Sequence, residues 1–280
     1  MMRVEPFRSA DIGPFLKLAV AEGWVAEPWE LEFLLADFPQ GSFTAYADYG
    51  EAAESEMAGF VTSLRHRRSG WIGNLVVAER FRGRGIGTAL FRSALEVLRM
   101  NGAQTIWLTA SKSGAPLYEK YGFRRIDTVV RRVGAGRQRH GMNTRQSNWK
   151  ESGAVACGID CQGWGDRRDA LLAVTVSRGR LLREESGFAA IQPCGDGWQL
   201  GPYSALDSGT SERLLDVALR SLPPGAKIFV DSPASNRAAQ RMFSRKKMRI
   251  SGTTELMYAG MRPDYRPELI YGSATMGSCG

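Results

Sequence analysis

The sequence predicts a mixed α/β fold, probed most clearly in its first half and partly repeated in its second. Three observations carry this. Between Trp71 and Phe123 the pattern runs strand, glycine-rich turn, helix, strand, which is a βαβ unit with a right-handed crossover. The chain has 280 residues, nearly twice the length of a typical single domain of about 150. After Gly165 the order of apolar runs follows that of the first half again.

The elements follow in order. Ser9-Ala10-Asp11 precedes Phe15, Leu16, Leu18, Ala19 and Val20, a short amphipathic helix with a polar start. Pro28 to Leu35 reads as a second helix with proline in its first turn. Ser42 to Ala47 and Met57 to Leu64 read as strands joined by an acidic turn. Ile72 to Val77 is a mainly apolar run suited to a central strand. Ile86, Leu90, Phe91, Ala94, Val97 and Leu98 then fall at helical spacing, and Asn101-Gly102 ends that helix. Thr105 to Thr109 is β-prone, Pro116 to Tyr121 is a short helix stopped by Gly122, and Phe123 opens a strand. Val130 to Gly153 reads as a connector, rich in glycine, polar and basic residues. Beyond it come a helix near Ala170 to Val174, a hairpin over 187–203, a helix from Ser211 to Leu222, a strand from Lys227 to Asp231 and a helix from Asn236 to Phe243. Strand-like runs near Thr253–Tyr258 and Glu268–Ser273 close the pattern.

Composition excludes several classes. Hydrophobic residues are 43% and charged residues 24%, so the chain is neither disordered nor fibrous. No apolar run approaches the roughly 18 residues of a membrane helix. The start, Met1 to Pro6, lacks the apolar core of an export signal, and a cytoplasmic protein is expected. Cysteines at 157, 161, 194 and 279, with His66 and His140 as the only histidines, predict neither a metal site nor a disulfide framework. His66, within Arg65-His66-Arg67-Arg68, reads as a solvated turn residue. The net charge of +8 is spread evenly: 19 basic against 15 acidic residues up to position 140, and 18 against 14 beyond it. Between Arg124 and Lys150, however, eight basic residues accompany the single acid Asp127. Such a stretch suits a polyanion or a solvated linker. Trp149 is the only aromatic residue between Phe123 and Trp164, so nucleic acid is not an expected partner.

The glycine-rich turn carries the chemistry. Gly83, Gly85 and Gly87 alternate at the start of a helix, so a ligand meets no side chains there. Successive N–H groups and the helix dipole favour an anion, and Arg82 and Arg84 add charge. This is a phosphate or pyrophosphate site in kind. A P-loop would need lysine at the turn, and a dinucleotide fold would need glycine where Thr88 stands and an acid where Thr109-Ala110-Ser111 stands. Arg82-x-x-Gly85-x-Gly87, within Arg80 to Leu90, instead resembles the R/Q-x-x-G-x-G/A signature of the GNAT superfamily of acyl-CoA N-acyltransferases. Pro116-Leu117-Tyr118-Glu119-Lys120-Tyr121-Gly122-Phe123 is similar to that superfamily's helix-to-strand piece, at the right distance downstream. The resemblance covers about residues 3–130.

The resemblance implies a mostly antiparallel mixed sheet with a splayed parallel strand pair, flanked by helices and duplicated along the chain. It implies acetyl-CoA as acyl donor, without a metal. Backbone of Leu75, Val76 and Val77 would pair with the pantetheine arm, and N–H groups of Arg82, Gly83, Arg84, Gly85, Ile86, Gly87 and Thr88 would hold the pyrophosphate. Tyr118 takes the position of the acid that protonates the departing thiol, with Tyr121 as its competitor. Trp24, Glu27, Trp29 and Glu30 fall in the segment that walls the acceptor site; Glu27, Glu30 and Glu79 are candidate bases, none of them assigned. The expected division is a GNAT domain over 1–132, a basic linker over 133–153 and a degenerate GNAT-like domain over 154–280. In the latter, Leu206 to Ser211 replaces the pyrophosphate turn with one glycine, no arginine and the repelling Asp207, and no tyrosine stands in the Asn236 helix. The expected activity is acetyl transfer to a primary amine of a small molecule, amino acid or peptide, in a monomer or homodimer. The alternative is a non-catalytic CoA-sensing module whose basic stretch meets a polyanion.

Overall fold

The computed structural model describes residues 2–49, 54–137 and 148–280. The chain forms two compact units: residues 1–108 with 277–279, and residues 109–276 with Gly280.

In the first unit, β1 (Met2–Pro6), β2 (Phe43–Tyr49), β3 (Glu54–Arg65) and β4 (Ser69–Val77) form an antiparallel meander, and β5 (Thr105–Ala110), through Leu108, runs parallel to β4. Helices α1 (Ile12–Ala21) and α2 (Pro28–Asp37) lie between β1 and β2 in sequence, and α3 (Ile86–Met100) between β4 and β5. The α3 stripe of Ile86, Leu90, Phe91, Ala94, Leu95 and Leu98 is buried. Each such large side chain contributes about 1.5–3 kcal/mol of burial. Gly70 lets Leu98 approach β4, because a β-carbon there would lie 2.7 Å from Leu98 Cδ2. Phe60 packs between Phe7 and Phe15, each 4.4 Å away between ring centroids. The β3–β4 register slips between Phe60↔Val76 and Thr62↔Gly73, which puts an extra residue in β4 beside Asn74, whose φ is +52°. Such a bulge re-aims the end of a strand.

The second unit contains α4 (Ala115–Glu119), β6 (Arg124–Ala135), α5 (Trp149–Trp164), α6 (Asp169–Ser177), β7 (Arg180–Glu184), β8 (Gly187–Cys194), β9 (Gly197–Ala205), α7 (Ser208–Ser221), β10 (Lys227–Pro233), α8 (Arg237–Arg245), β11 (Arg249–Gly260) and β12 (Ile270–Gly272). Its strands run in the order β11-β6-β10-β9-β8-β7, antiparallel except for the pair β9–β10.

Three differences from the sequence expectations have physical causes. The connector expected from Val130, with its linker at 133–153, begins inside a strand and ends inside a helix, while residues 138–147 lie outside the described ones. β6 is an interior strand: Val130 pairs with Ser232 on one side and Thr253 on the other. Its basic residues disguised it. Arg131 makes bonds of 2.8 and 2.7 Å to Asp231, and Arg132 donates to the Met248 carbonyl at 3.0 Å and to Gln240. Neither of these two arginines is left for a polyanion. The compact units divide at Leu108/Thr109.

Helix α5 is the second difference. Gly153, Gly158 and Gly163 each weaken a helix by about 1 kcal/mol against alanine. Two of them permit close packing: a β-carbon would lie 2.9 Å from the Trp149 ring at Gly153 and 2.8 Å from Ile270 at Gly163, while at Gly158 it would meet nothing within 4 Å. Asn148 caps the helix by accepting from the Lys150 amide. A buried pair, Arg168 on Asp160 at 2.9 and 2.8 Å, ties α5 to the start of α6. The third difference is His66, which is buried at 8% exposure and whose amide closes a turn onto Ser69.

Candidate functional site

The β4–β5 pairing runs from Ser69↔Thr105 to Ile72↔Leu108 and stops. β4 continues to Val77, held on its other side by β3 through Phe60↔Val76 and Gly59↔Val77. The edge from Gly73 to Val77 is therefore outside the ladder with β5, as it must be where two parallel strands diverge. An extended ligand can pair with such an edge as an added strand. Val76 points into the core, while Leu75 and Val77 are half-buried.

The chain leaves β4 through a 3-10 turn at Glu79–Phe81 and reaches α3 by way of Arg82 to Gly85. Gly83 and Gly85 have φ of +77° and +79°. Side chains rarely adopt that conformation, and a β-carbon at either position would meet no protein atom within 4 Å. The turn faces open space. At Gly87 a β-carbon would only touch Val77 Cγ2, at an ordinary 3.5 Å. The protein's own packing thus leaves room for a side chain at Gly87; a ligand arriving from outside would not. Gly85 caps α3 and supplies no side-chain acceptor to its first turn. The helix dipole and these amide groups present positive potential to an anion.

The two arginines divide the work. Arg82 Nε donates to the Val77 carbonyl at 2.9 Å, and its guanidinium also pairs with Glu22, which braces the turn against the end of β4. Sequence reasoning missed Glu22; nothing in the local pattern links positions 60 residues apart. The Arg84 guanidinium lies over Phe81, 5.6 Å from the ring centroid, on an exposed residue. The groups from Leu75 to Thr88 thus lie together in the first unit, a strand edge followed by an anion-favouring helix start.

Tyr118 belongs to the second unit. It is buried on α4, 9% exposed, with its ring 6.2 Å from Phe123. Burial disfavours the phenolate and pushes its pKa up to about 12. Gly122, with φ of +85°, ends the helical segment before β6. Trp24 is exposed between α1 and α2, Glu27 stands at the start of α2, and Trp29 and Glu30 lie in its first turn. Among the described residues, no group of three or more His, Cys, Asp or Glu is placed to hold a metal.

The second unit repeats the parallel pair and fills it. β9 and β10 pair through Trp198↔Ile228 and Gln199↔Phe229. β12 then lies on β9, with Ser204↔Ile270 and Tyr203↔Gly272. The Ser273 amide donates to the Asp231 carbonyl of β10 at 2.8 Å. Asn236 Nδ2 holds the Ile270 carbonyl at 2.8 Å, and Gln199 and Gln192 hold those of Ser273 and Ala274 at 3.2 and 2.9 Å. At the start of α7, Asp207 Oδ1 accepts from the Thr210 amide and Oδ2 from its hydroxyl, both at 2.8 Å. These bonds hold the Asp207 carboxyl below its ordinary pKa.

Comparison with known proteins agrees with this geometry. The family model described as "Acetyltransferase (GNAT) family" matches residues 13–123, and "Acetyltransferase (GNAT) domain" matches residues 156–272. The chain belongs to the GNAT acetyltransferase family, with two such domains in tandem. It is 37% identical over 65 residues to glucosamine 6-phosphate N-acetyltransferase of Trypanosoma brucei brucei, which covers 23% of this chain and 44% of that protein. It is 30% identical over 82 residues to the chloroplastic GCN5-related N-acetyltransferase 6 of Arabidopsis thaliana, covering 28% of each. The matches thus span less than half the length of either relative. A crystal structure of a Pyrococcus horikoshii protein described as an acetyltransferase candidate superposes with a TM-score of 0.81 at 23% identity, covering 100% of this chain and 96% of that one. A GCN5-related N-acetyltransferase of Sphaerobacter thermophilus gives 0.63 at 18% identity, covering 95% and 98%. These two show the fold.

Proposed function

We propose that the protein is an acetyl-CoA-dependent N-acetyltransferase acting on a primary amine of a small molecule, amino acid or peptide. The observation that carries this reading is the start of α3, which has no side-chain cap and follows two left-handed glycines, shortly after a strand whose parallel pairing ends at Ile72. Acetyl-CoA would supply the thioester. Amides of residues 82–88 would bind its diphosphate, Arg84 would add charge, and Arg82 would hold the turn. Backbone groups of Leu75 to Val77 would bind the arm by strand pairing, and a β4 amide would donate to the oxyanion formed as the amine attacks.

Tyr118 would deliver its phenolic proton to the departing sulfur. The attacking nitrogen sheds a proton as the sulfur gains one, so the protons balance. A phenol with a pKa of about 12 stays loaded with its proton across the physiological range. The family model spans both the turn and this tyrosine, which supports assigning them to one reaction. The acceptor segment around Trp24, Glu27, Trp29 and Glu30 would wall the amine's approach. The second GNAT half, on this reading, carries no donor of its own.

The non-catalytic reading is less well supported, since Arg131 and Arg132 are engaged within the second unit. The deciding test is a screen of primary amines for release of free CoA. Turnover with at least one amine, removed by Tyr118→Phe while acetyl-CoA still binds, is the expected result. Undiminished turnover in that variant would contradict the acid assignment.

A further inference from the structure

We infer that the segment Gly277 to Cys279, together with Thr62 and Gly73, closes the acyl end of the crevice beside β4 and confines the donor to short acyl groups. The inference rests on the donor site proposed above and asks what lies at its far end. The diphosphate turn follows Val77, and the gap beside β4 closes where Ile72 pairs with Leu108. From Val77 back to Gly73 is four residues of extended chain, about 13 Å. An arm entering from the turn therefore directs its acyl end toward Gly73.

At that point β5 blocks the way ahead, and an acyl chain longer than the gap has only the two faces of the sheet to run onto. One face is covered by α3, whose Leu98 packs on Gly70. The other carries residues 277–279, which belong to the first unit. The Trp71 indole donates to the Gly277 carbonyl at 3.2 Å. Gly73 makes room for the next residue, because a β-carbon on it would overlap the Ser278 carbonyl oxygen. Thr62 stands directly across the antiparallel ladder from Gly73, so its side chain shares that face.

The wall is polar. Thr62 is fully buried and Ser278 is 9% exposed, yet neither hydroxyl has a hydrogen-bond partner among the described residues. Buried hydroxyls are normally satisfied, and two unsatisfied ones at the end of a ligand crevice call for a use. They penalise an aliphatic chain, which would have to displace main chain and lie against unpaired oxygens.

The test measures the binding of CoA, acetyl-CoA and hexanoyl-CoA to the whole chain by calorimetry. CoA and acetyl-CoA should bind within about threefold of each other and hexanoyl-CoA about tenfold or more weaker, the scale on which a closed pocket rejects extra methylenes. Thr62→Val keeps the shape and removes a hydroxyl without a partner. It should narrow the acetyl-to-hexanoyl difference severalfold while Tm stays level or rises. Gly73→Ala, which dislodges Ser278, should narrow it further; where that variant fails to fold, Thr62→Val decides. Equal binding of acetyl-CoA and hexanoyl-CoA, or a preference unmoved by Thr62→Val, would overturn the inference alone. Failure of CoA itself to bind would overturn the donor-site reading and this inference with it.

Discussion

The helix that follows the glycine turn in the first unit and its counterpart in the second begin in opposite ways. α3 starts from Gly85, a left-handed residue at which a β-carbon would meet no protein atom within 4 Å. α7 starts from Asp207, whose carboxylate already holds the Thr210 amide and hydroxyl. The parallel strand pairs differ in the same sense. β4 runs on past its last pairing with β5 at Ile72, whereas the gap between β9 and β10 receives β12, and side chains tie down the carbonyls of Ile270, Ser273 and Ala274. In the second unit a carboxylate stands where a phosphate would bind and a strand where an extended arm would pair. On the proposed reading, the second unit keeps the fold while its own groups take the places that a donor would fill.

This contrast can be broken from either side. The largest effect is expected from Gly85→Glu, which forces a side chain into φ of +79° and brings a carboxylate to the anion site. Losing several charge-assisted bonds of about 1.5–3 kcal/mol each should weaken CoA binding by two orders of magnitude or more in calorimetry. Residual full-strength binding would place CoA elsewhere, the second unit included. Tyr118→Phe should lower kcat by about 10²–10⁴ and leave the Kd for acetyl-CoA unchanged.

Because burial holds Tyr118 protonated up to about pH 12, the loss of kcat from its ionisation should begin only well above pH 10. An alkaline limb near pH 8 or 9 that disappears in Tyr118→Phe would contradict that assignment. The smallest effect is expected from Asp207→Ala, which should cost about 1 kcal/mol of stability as a lost helix cap and create no CoA site while β12 keeps its place. The Asp207 carboxyl is held below its ordinary pKa in the folded state, so its stabilisation is present above about pH 4 and declines as pH falls further. Equal acid sensitivity of wild type and Asp207→Ala in thermal melts would contradict this.

Much of the local geometry of the proposed donor site was legible because its determinants are local. Glycines at 83, 85 and 87 announce a turn and a helix start whatever surrounds them, and the α3 stripe from Ile86 to Leu98 is regular. Asp207 announced the closed counterpart for the same reason. What escaped was set by distant partners. β6 looked like a basic linker because Arg131 is paired with Asp231 and Arg132 is hydrogen-bonded to Gln240 and the Met248 carbonyl, 100 or more residues away. The start of α5 looked like connector because a glycine there, Gly153, serves packing against Trp149. The contact of residues 277–279 with Trp71 and Gly73 spans 206 positions, and no local pattern encodes it.

Hydrogen exchange of backbone amides with and without CoA tests the central claim most directly. Protection on adding CoA should appear at residues 82–88 and along Leu75 to Val77, with residues 207–211 unchanged. Protection at the start of α7, or none at the start of α3 under saturating CoA, would contradict the account.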